Sequence, residues 1–386
     1  MKYNTYTLSE LVTIKYGKNQ KAVLSEDGSI PIYGTGGLMG YATKPLYDKP
    51  SVLIGRKGTI EKVHYVTHPF WTVDTLFYTI VNEDIIRPHY LYYLLSTLDL
   101  KQYNEGTTIP SLRTDTLNRI EFNVPDLKAQ DDILSVLEPI EEKIELNSEI
   151  NKNLEQQAQA LFRNWFIDNP LTTKWNIGAF SDIISTTIAG DWGKDRPAGN
   201  YTEMVYCIRG ADIPEVKKGN KGKMPTRFIL PKNYAAKKLV PGDIVVEISG
   251  GSPTQSTGRA AAVSQSLLDR YDKGMVCTNF CKAIKPKEGY SMFAYHYWQY
   301  LYDSNVFFSY ENGTTGIKNL DISGFLDTEE ITIAPVELVR QFDDVCQTIY
   351  AQIYANGLEN ERLADVRDNL LPKLMSGELD VSNIDL

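Results

Sequence analysis

Two pairs of potential metal ligands stand four residues apart, His64 with His68 and Cys277 with Cys281. On a helix that spacing would turn both side chains toward one ion. Val63, Tyr65 and Val66 around His64 read as strand instead, where the two rings would not converge. The cysteines lack the Cys-x2-Cys spacing of structural zinc sites. Both pairs therefore read as core or surface residues. Other chemistries lack their residues as well. There is no phosphate-cradling Gly-x-x-x-x-Gly-Lys-Ser/Thr loop, and Gly34-Thr35-Gly36-Gly37 lacks the strand-to-helix setting of a dinucleotide fingerprint. No Gly-x-Ser-x-Gly elbow occurs. Asp168-Asn169-Pro170-Leu171 only approximates the Asn/Asp-Pro-Pro-Tyr/Phe tetrapeptide of amino-methyltransferases and reads as a helix stop. The expectation is a chain without a catalytic, cofactor or metal site of its own.

The remaining polar loops suit contact with DNA. Gly55-Arg56-Lys57-Gly58 sets two cations between glycines, where backbone can approach phosphate closely. Tyr33-Gly34-Thr35-Gly36-Gly37 is a second tight glycine loop, with Tyr33, Gly36 and Gly37 as candidate contacts. Farther on, Ser249, Ser252, Thr254, Gln255 and Arg259 crowd hydroxyls, an amide and a guanidinium into eleven residues, 249–259. Such groups bond base edges and phosphates without an acidic pocket. Gly106-Thr107-Thr108 is followed by Ser111 and Arg113, and Gly313-Thr314-Thr315 by Lys318 and Asn319. Taken singly, each loop reads first as a turn; their repeated placement is what joins them.

That repetition organises the whole chain. Gly106 and Gly313 are 207 residues apart, and Pro125 and Pro335 are 210 apart. Each precedes a long helical pattern. The halves also open alike, Leu8-Ser9-Glu10-Leu11 resembling Phe180-Ser181-Asp182-Ile183 at a shift of 172. The shift grows by 38 residues, and Lys217–Lys238, lysine-rich and without acid, is expected to belong to the added length. Internal repeats of this kind precede every other reading of fold.

The first helix is expected from about Leu127 to Phe166, the second to near Met375. Apolar residues step by four and three through Ile133, Leu137, Ile140 and Ile144, then Asn147 and Asn151, then Leu154, Ala158, Leu161 and Trp165. The second seam, 209 residues on, runs Phe342, Cys346, Ile349, Ile353, Asn356, Asn360, Leu363, Arg367, Leu370, Leu374. This is a coiled-coil heptad seam. The buried asparagine pairs would fix register, because each amide must find a polar partner. Economy of connection makes the pair antiparallel, with the asparagines opposite one another and a globular part at either end. Pro139 should kink or break the first helix. Short β-branched runs such as Ser51–Ile54 and Asp243–Val246, punctuated by Gly and Pro, make the globular parts strand-rich, with short helices near Tyr90–Leu98 and Phe293–Tyr302.

Composition agrees. The 386 residues are 42% hydrophobic and 23% charged, ordinary for a soluble protein of two or more domains. No apolar run suits a signal peptide or a membrane span. Four cysteines without a framework, Cys207, Cys277, Cys281 and Cys346, suit reduced thiols in a cytoplasm. The net charge of −9 is unevenly spread. Residues 1–125 carry net +1 and 169–335 net +2, whereas 126–168 and 336–386 carry −6 each. The excess acid lies on the helices, and the globular parts permit phosphate contact.

With these residues in view, the chain resembles the specificity subunit of type I restriction–modification systems over essentially its whole length. The resemblance rests on Ile30–Gly37, Ser51–Ile60 and Gly106–Leu112, on Gly190-Asp191-Trp192-Gly193-Lys194, Ile208–Ile213 and Glu247–Ser252, and on the repeated helices. The second Gly-Thr-Thr loop lacks the Ile-Pro-Ser-Leu of the first. The fold implied is α+β: two target-recognition domains, 1–125 and 169–335, separated by spacer helices, 126–168 and 336–386, in an antiparallel two-helix coiled coil with a pseudo-two-fold repeat. Each domain would read one half of a bipartite duplex through the major groove, with Lys194 and Arg209 joining the contacts already named. Two methyltransferase subunits would dock on the helices and bring S-adenosylmethionine, and restriction subunits would bring ATP and Mg. The competing readings are a bivalent protein-binding scaffold and a fused enzyme; the missing motifs weigh against the latter.

Overall fold

The computed structural model describes residues 2–252, 254–313 and 317–381. The chain divides into two compact units, one running to Glu142 and taking back the segment from Ala364, the other Lys143–Leu363.

The first unit contains β1 (Tyr3–Thr7), α1 (Leu8–Leu11), β2 (Val12–Tyr16), β3 (Ile30–Gly34), β4 (Gly37–Ala42), β5 (Ser51–Gly55), β6 (Val63–Val66), β7 (Trp71–Thr72) and β8 (Leu76–Val81). There follow α2 (Pro88–Ser96), α3 (Thr114–Asn118), β9 (Glu121–Pro125) and the long α4 (Leu127–Phe162). Its main sheet has the order β2-β8-β5-β6, all neighbours antiparallel. A smaller sheet, β4-β3-β7, has β3 and β7 parallel, and β1 and β9 form a two-stranded ribbon. β5 is buried at every residue, which is why it reads as an unbroken apolar run rather than an alternation. Its one polar side chain, Ser51, donates to Thr79 O at 2.7 Å.

The second unit repeats this plan. It contains β10 (Asn176–Ala179), β11 (Ile184–Ala189), β12 (Glu203–Ile208), α5 (Ile213–Lys217), β13 (Thr226–Ile229), α6 (Pro231–Lys237), β14 (Ile244–Glu247), β15 (Ser249–Gly250), β16 (Ala260–Ala262), α7 (Gln265–Leu268), β17 (Met275–Cys277) and β18 (Cys281–Pro286). Then come α8 (Ser291–Asp303), β19 (Glu311–Asn312), β20 (Lys318–Leu320), α9 (Ile322–Thr328), β21 (Glu330–Ile333) and α10 (Val336–Ser376). Sheet β11-β18-β14-β16 matches β2-β8-β5-β6. Sheet β13-β12-β17, again with one parallel pair, matches β4-β3-β7, and ribbon β10-β21 matches β1-β9. The openings of the two halves share a cap: Glu10 accepts Thr7 N at 2.7 Å, and Asp182 accepts Ala179 N at 3.0 Å. Within the lysine-rich stretch, β13 takes the place of β4, so that stretch is not wholly added length.

α4 and α10 pair antiparallel. In the second unit Lys143 lies 3.5 Å from Glu359, Asn147 bonds Asn360 and Asn151 bonds Asn356, so one helix descends as the other climbs. In the first unit Arg367 meets Glu141 at 3.5 Å in the same sense. α4 continues through Pro139 without a break. That proline faces solvent, where water can take the carbonyl it leaves unbonded. The α-helix stops at Phe162, four residues short of expectation, and a π-helical turn carries Arg163–Ile167. That turn seats Phe166, with Phe162, against Phe293 and Phe342.

Each unit also seats a histidine of its short helix against a long one. His89 on α2 bonds Glu138 at 2.7 Å and Glu141 at 3.3 Å, both on α4, and stacks on Tyr65 and Tyr93. Its counterpart on α8, 207 residues on, is His296, fully buried among Phe162, Phe342 and Tyr350. Burial drives His296 down to about 3. His89 goes the other way: burial opposes its charge, but the two glutamate hydrogen bonds outweigh it and raise its pKa.

Candidate nucleic-acid interface

In the first unit, the loop after β5 is zipped to the loop before α3. Lys57 and Ser111 form a bridge, Gly58 N donates to Pro110 O at 2.9 Å, and Leu112 N donates to Arg56 O at 2.9 Å. Asn104 Oδ1 holds the second loop by accepting Gly106 N and Ser111 N, both at 2.9 Å. The sequence candidates Arg56, Lys57, Thr107, Thr108, Ser111 and Arg113 thus share one surface. Arg56 donates to Asp74 O at 2.8 Å and lies 5.0 Å over the Tyr16 ring. Lys57, Thr107 and Thr108 are exposed. Arg113 reaches Glu105 at 3.2 Å. Tyr33 lies on β3, its hydroxyl 3.0 Å from His68 Nε2, with Gly36 and Gly37 at the tip of the β3–β4 hairpin. Val73 N bonds Tyr33 O, and Thr75 O accepts Arg56 N, so the segment between connects the hairpin to the zipped loops.

The second unit makes the same junction with different side chains. β15 pairs with β20, Ser249 opposite Asn319 and Gly250 opposite Lys318, and Leu320 N donates to Ile248 O at 2.9 Å, as Leu112 does to Arg56. Ser249 Oγ donates to Asn319 Oδ1 at 2.5 Å. Ser252 Oγ accepts the backbone N–H groups of Thr254 and Gln255, and both of those residues are exposed. Thr314 and Thr315 lie outside the described residues.

Cations are used differently in the two junctions. Arg259 makes a two-pronged pair with Glu247, at 2.8 and 2.6 Å, and Arg209 pairs likewise with Asp212, at 2.9 and 3.1 Å. Hydrogen bonds to those carboxylates hold both guanidinium pKa values above their ordinary range. Lys318 lies 2.7 Å from Glu311 and 4.9 Å over Phe308. These charges are committed to internal partners and shape the loops, leaving Ser249, Asn319, Thr254 and Gln255 as neutral donors and acceptors. Lys194 is exposed over the Tyr201 ring, at 4.5 Å.

Three of the sequence motifs converge beside the second junction on an open recess of about 420 Å³, walled by Trp192, Arg209, Gly210, Glu247, Ser249 and Phe280. The two aromatic residues were missed by sequence reasoning. Trp192 lies inside a motif already noted, but an aromatic side chain in a strand-rich segment reads as core. The cysteines offer no nucleophile here: all four are buried and free, and burial pushes Cys207 and Cys281 up to about 12.

Along the spacer, Asn147 Nδ2 donates to Asn360 Oδ1 at 2.9 Å and Glu359 at 2.7 Å. Asn356 Nδ2 donates to Asn151 Oδ1 at 2.8 Å, and Asn151 Nδ2 to Ile353 O and Lys218 O at 3.0 Å each. Around this ladder Ile140, Ile144, Leu154, Ile349 and Leu363 are half-buried and Ile353 fully buried.

A family model described as the type I restriction modification DNA specificity domain matches residues 1–156. The type I restriction enzyme HindI specificity subunit of Haemophilus influenzae is 25% identical over 80% of this chain and 81% of its own. The MjaIX specificity subunit of Methanocaldococcus jannaschii is 26% identical over 88% and 80%. The crystal structure of a type I restriction–modification S subunit from M. genitalium shares the fold, with a TM-score of 0.59 at 15% identity over 97% of this chain and 96% of that one.

Proposed function

From the premise that this chain belongs to the specificity-subunit family of type I restriction–modification systems, we propose how its two units divide the work of recognition. The chain is the DNA-target specificity subunit of such a system and, by family, is not itself an enzyme. Each unit reads one half of a bipartite duplex target through the major groove. The first uses Arg56, Lys57, Thr107, Thr108, Ser111 and Arg113 with the Tyr33–Gly37 hairpin. The second uses Ser249, Ser252, Thr254, Gln255 and Asn319 with Lys194, while Arg209, Arg259 and Lys318 hold the loops through their carboxylate partners. The observation that carries this reading is the duplicated loop junction, built on the same backbone bond in both units. One junction would serve one site; two suit a split one.

The helix pair sets the gap between half-sites. Rigidity matters there because DNA turns once per about 10.5 base pairs, so a change in separation also changes the face presented. The acidic outer faces of the helices would repel phosphate and suit protein partners with basic or mixed surfaces. Two methyltransferase subunits dock there with S-adenosylmethionine, and restriction subunits add ATP- and Mg-dependent steps, in a cytoplasmic complex. Mapping methylated adenines in cells with and without this gene tests the reading. The expected result is a gene-dependent motif of two short specific blocks around a fixed unspecified gap. A motif in one unbroken block, or unchanged methylation, would refute it.

A further inference from the structure

The recess beside the second junction suits an apolar group. Phe280 is 59% exposed and Trp192 37% exposed. A lone exposed aromatic needs no explanation, but here the Trp192 ring is clamped and the Phe280 backbone is fixed. Arg227 lies 4.1 Å over the Trp192 ring and donates to Trp192 O at 2.8 Å. Phe280 O accepts Ile248 N at 2.9 Å and Ser249 N at 3.3 Å, so its backbone is bonded to the reading strand itself. The floor is closely shaped as well: a Cβ on Gly210 would lie 2.4 Å from Glu247 Oε1. Arg259 pairs with Glu247, and Asp212 with Arg209, so neither carboxylate confronts a phosphate unpaired.

The result is a charge-balanced dent with two aromatic walls, the Trp192 ring covered by Arg227, among hydroxyl and amide groups. Of the groups that B-DNA presents in the major groove, the thymine 5-methyl is the apolar one; the rest are donors and acceptors. We infer that the Trp192–Phe280 recess reads the 5-methyl group of a thymine in the half-site facing the second unit. Ser249 and Asn319 alongside take polar base edges. This specificity contact rests on the DNA-reading role proposed above.

The test uses the chain assembled with its methyltransferase subunits and duplexes carrying the mapped target. Each thymine is replaced singly by deoxyuridine, which removes only the methyl. One position, in one half-site, is expected to bind about 4- to 10-fold more weakly, the scale of one buried methyl. With Phe280→Ala, thymine and uracil at that position should bind alike, while the other half-site keeps its selectivity. Sequence-specific binding that ignores every uracil substitution, a target half lacking thymine, or T/U discrimination surviving Phe280→Ala would overturn the inference and leave the specificity role standing. Binding indifferent to DNA sequence altogether would overturn that role instead.

Discussion

Replacing Asn360 by leucine should remove one of the two acceptors of the Asn147 amide, which is 1% exposed. A buried polar group that loses its partner costs about 1–3 kcal/mol. Glu359 remains as a second acceptor, which places the expected loss near the lower end, at about 1–2 kcal/mol. The bonds that Asn360 itself donates, to Ile144 O at 3.4 Å and Ser148 Oγ at 3.3 Å, are long and add little. Asn147→Leu alone should cost a similar amount by orphaning Asn360 Oδ1. The double variant removes both polar demands and lets two leucines meet in the seam, each burial contributing roughly 1.5–3 kcal/mol. It should match or exceed the original stability, or settle into a new register. In a domain of about 150–250 residues, 1 kcal/mol shifts Tm by about 2–4 °C. Each single variant should therefore melt about 2–8 °C lower, and the double should recover. Thermal unfolding of the full chain measures the cycle. If the two losses simply add, the asparagines do not act as a pair across the seam and the register argument fails.

Arg56→Ala should weaken recognition of the half-site facing the first unit by about 10- to 100-fold if Arg56 reads a base. Competition binding with half-site mutants checks this, and equal loss for both halves would indicate a damaged domain. The two seat histidines should respond to pH in opposite senses. His89 has a raised pKa, so its contribution is complete below the unfolded value near 6.5 and is lost as pH climbs through the folded one. His296 is held down to about 3, so the unfolded chain takes up its proton first and stability declines as pH falls below 6.5. Melting curves from pH 5 to 9 should show the alkaline decline flattened by His89→Gln and the acid decline reduced by His296→Phe. A pH profile untouched by either substitution would discard the assignment. At Gly357 a Cβ would meet the Gly219 carbonyl oxygen at 1.9 Å. Gly357→Ala should lower stability by about 1–3 kcal/mol or more; an unchanged unfolding midpoint would contradict so close an approach.

The spacer was the most legible element because its signals are redundant. A seam stepping by four and three admits few structures, and asparagines at matching points of two seams have an obvious use for one another. The Gly-Thr-Thr repeat, at its 207-residue interval, pointed to paired loops in the same way, although Thr314 and Thr315 themselves lie outside the described residues. What escaped was the choice of individual side-chain partners, which no periodic pattern announces. Nothing near Arg259 announces that Glu247 will take its charge, nor near Lys318 that Glu311 will. Phe280 follows Cys277 and precedes Cys281, both buried, and only the turn through Thr278 brings its ring out. Pro139 misled because its effect depends on which side of the helix faces water. His89 and His296 occupy equivalent places, yet their characters diverge through partners on another helix: glutamates for one, aromatic rings for the other.

The asparagine ladder also constrains how such a chain can change length. The rungs join residues counted upward on one helix and downward on the other, so an insertion into a single helix on one side of the ladder displaces every contact beyond it. Lengthening or shortening that preserves the pairing has to occur as matched edits, equal in number and mirrored about the rungs. If the helix pair spaces the half-sites as proposed, drift in that distance should be rare and stepwise, whereas the loops, which bear no such obligation, are free to diverge on their own.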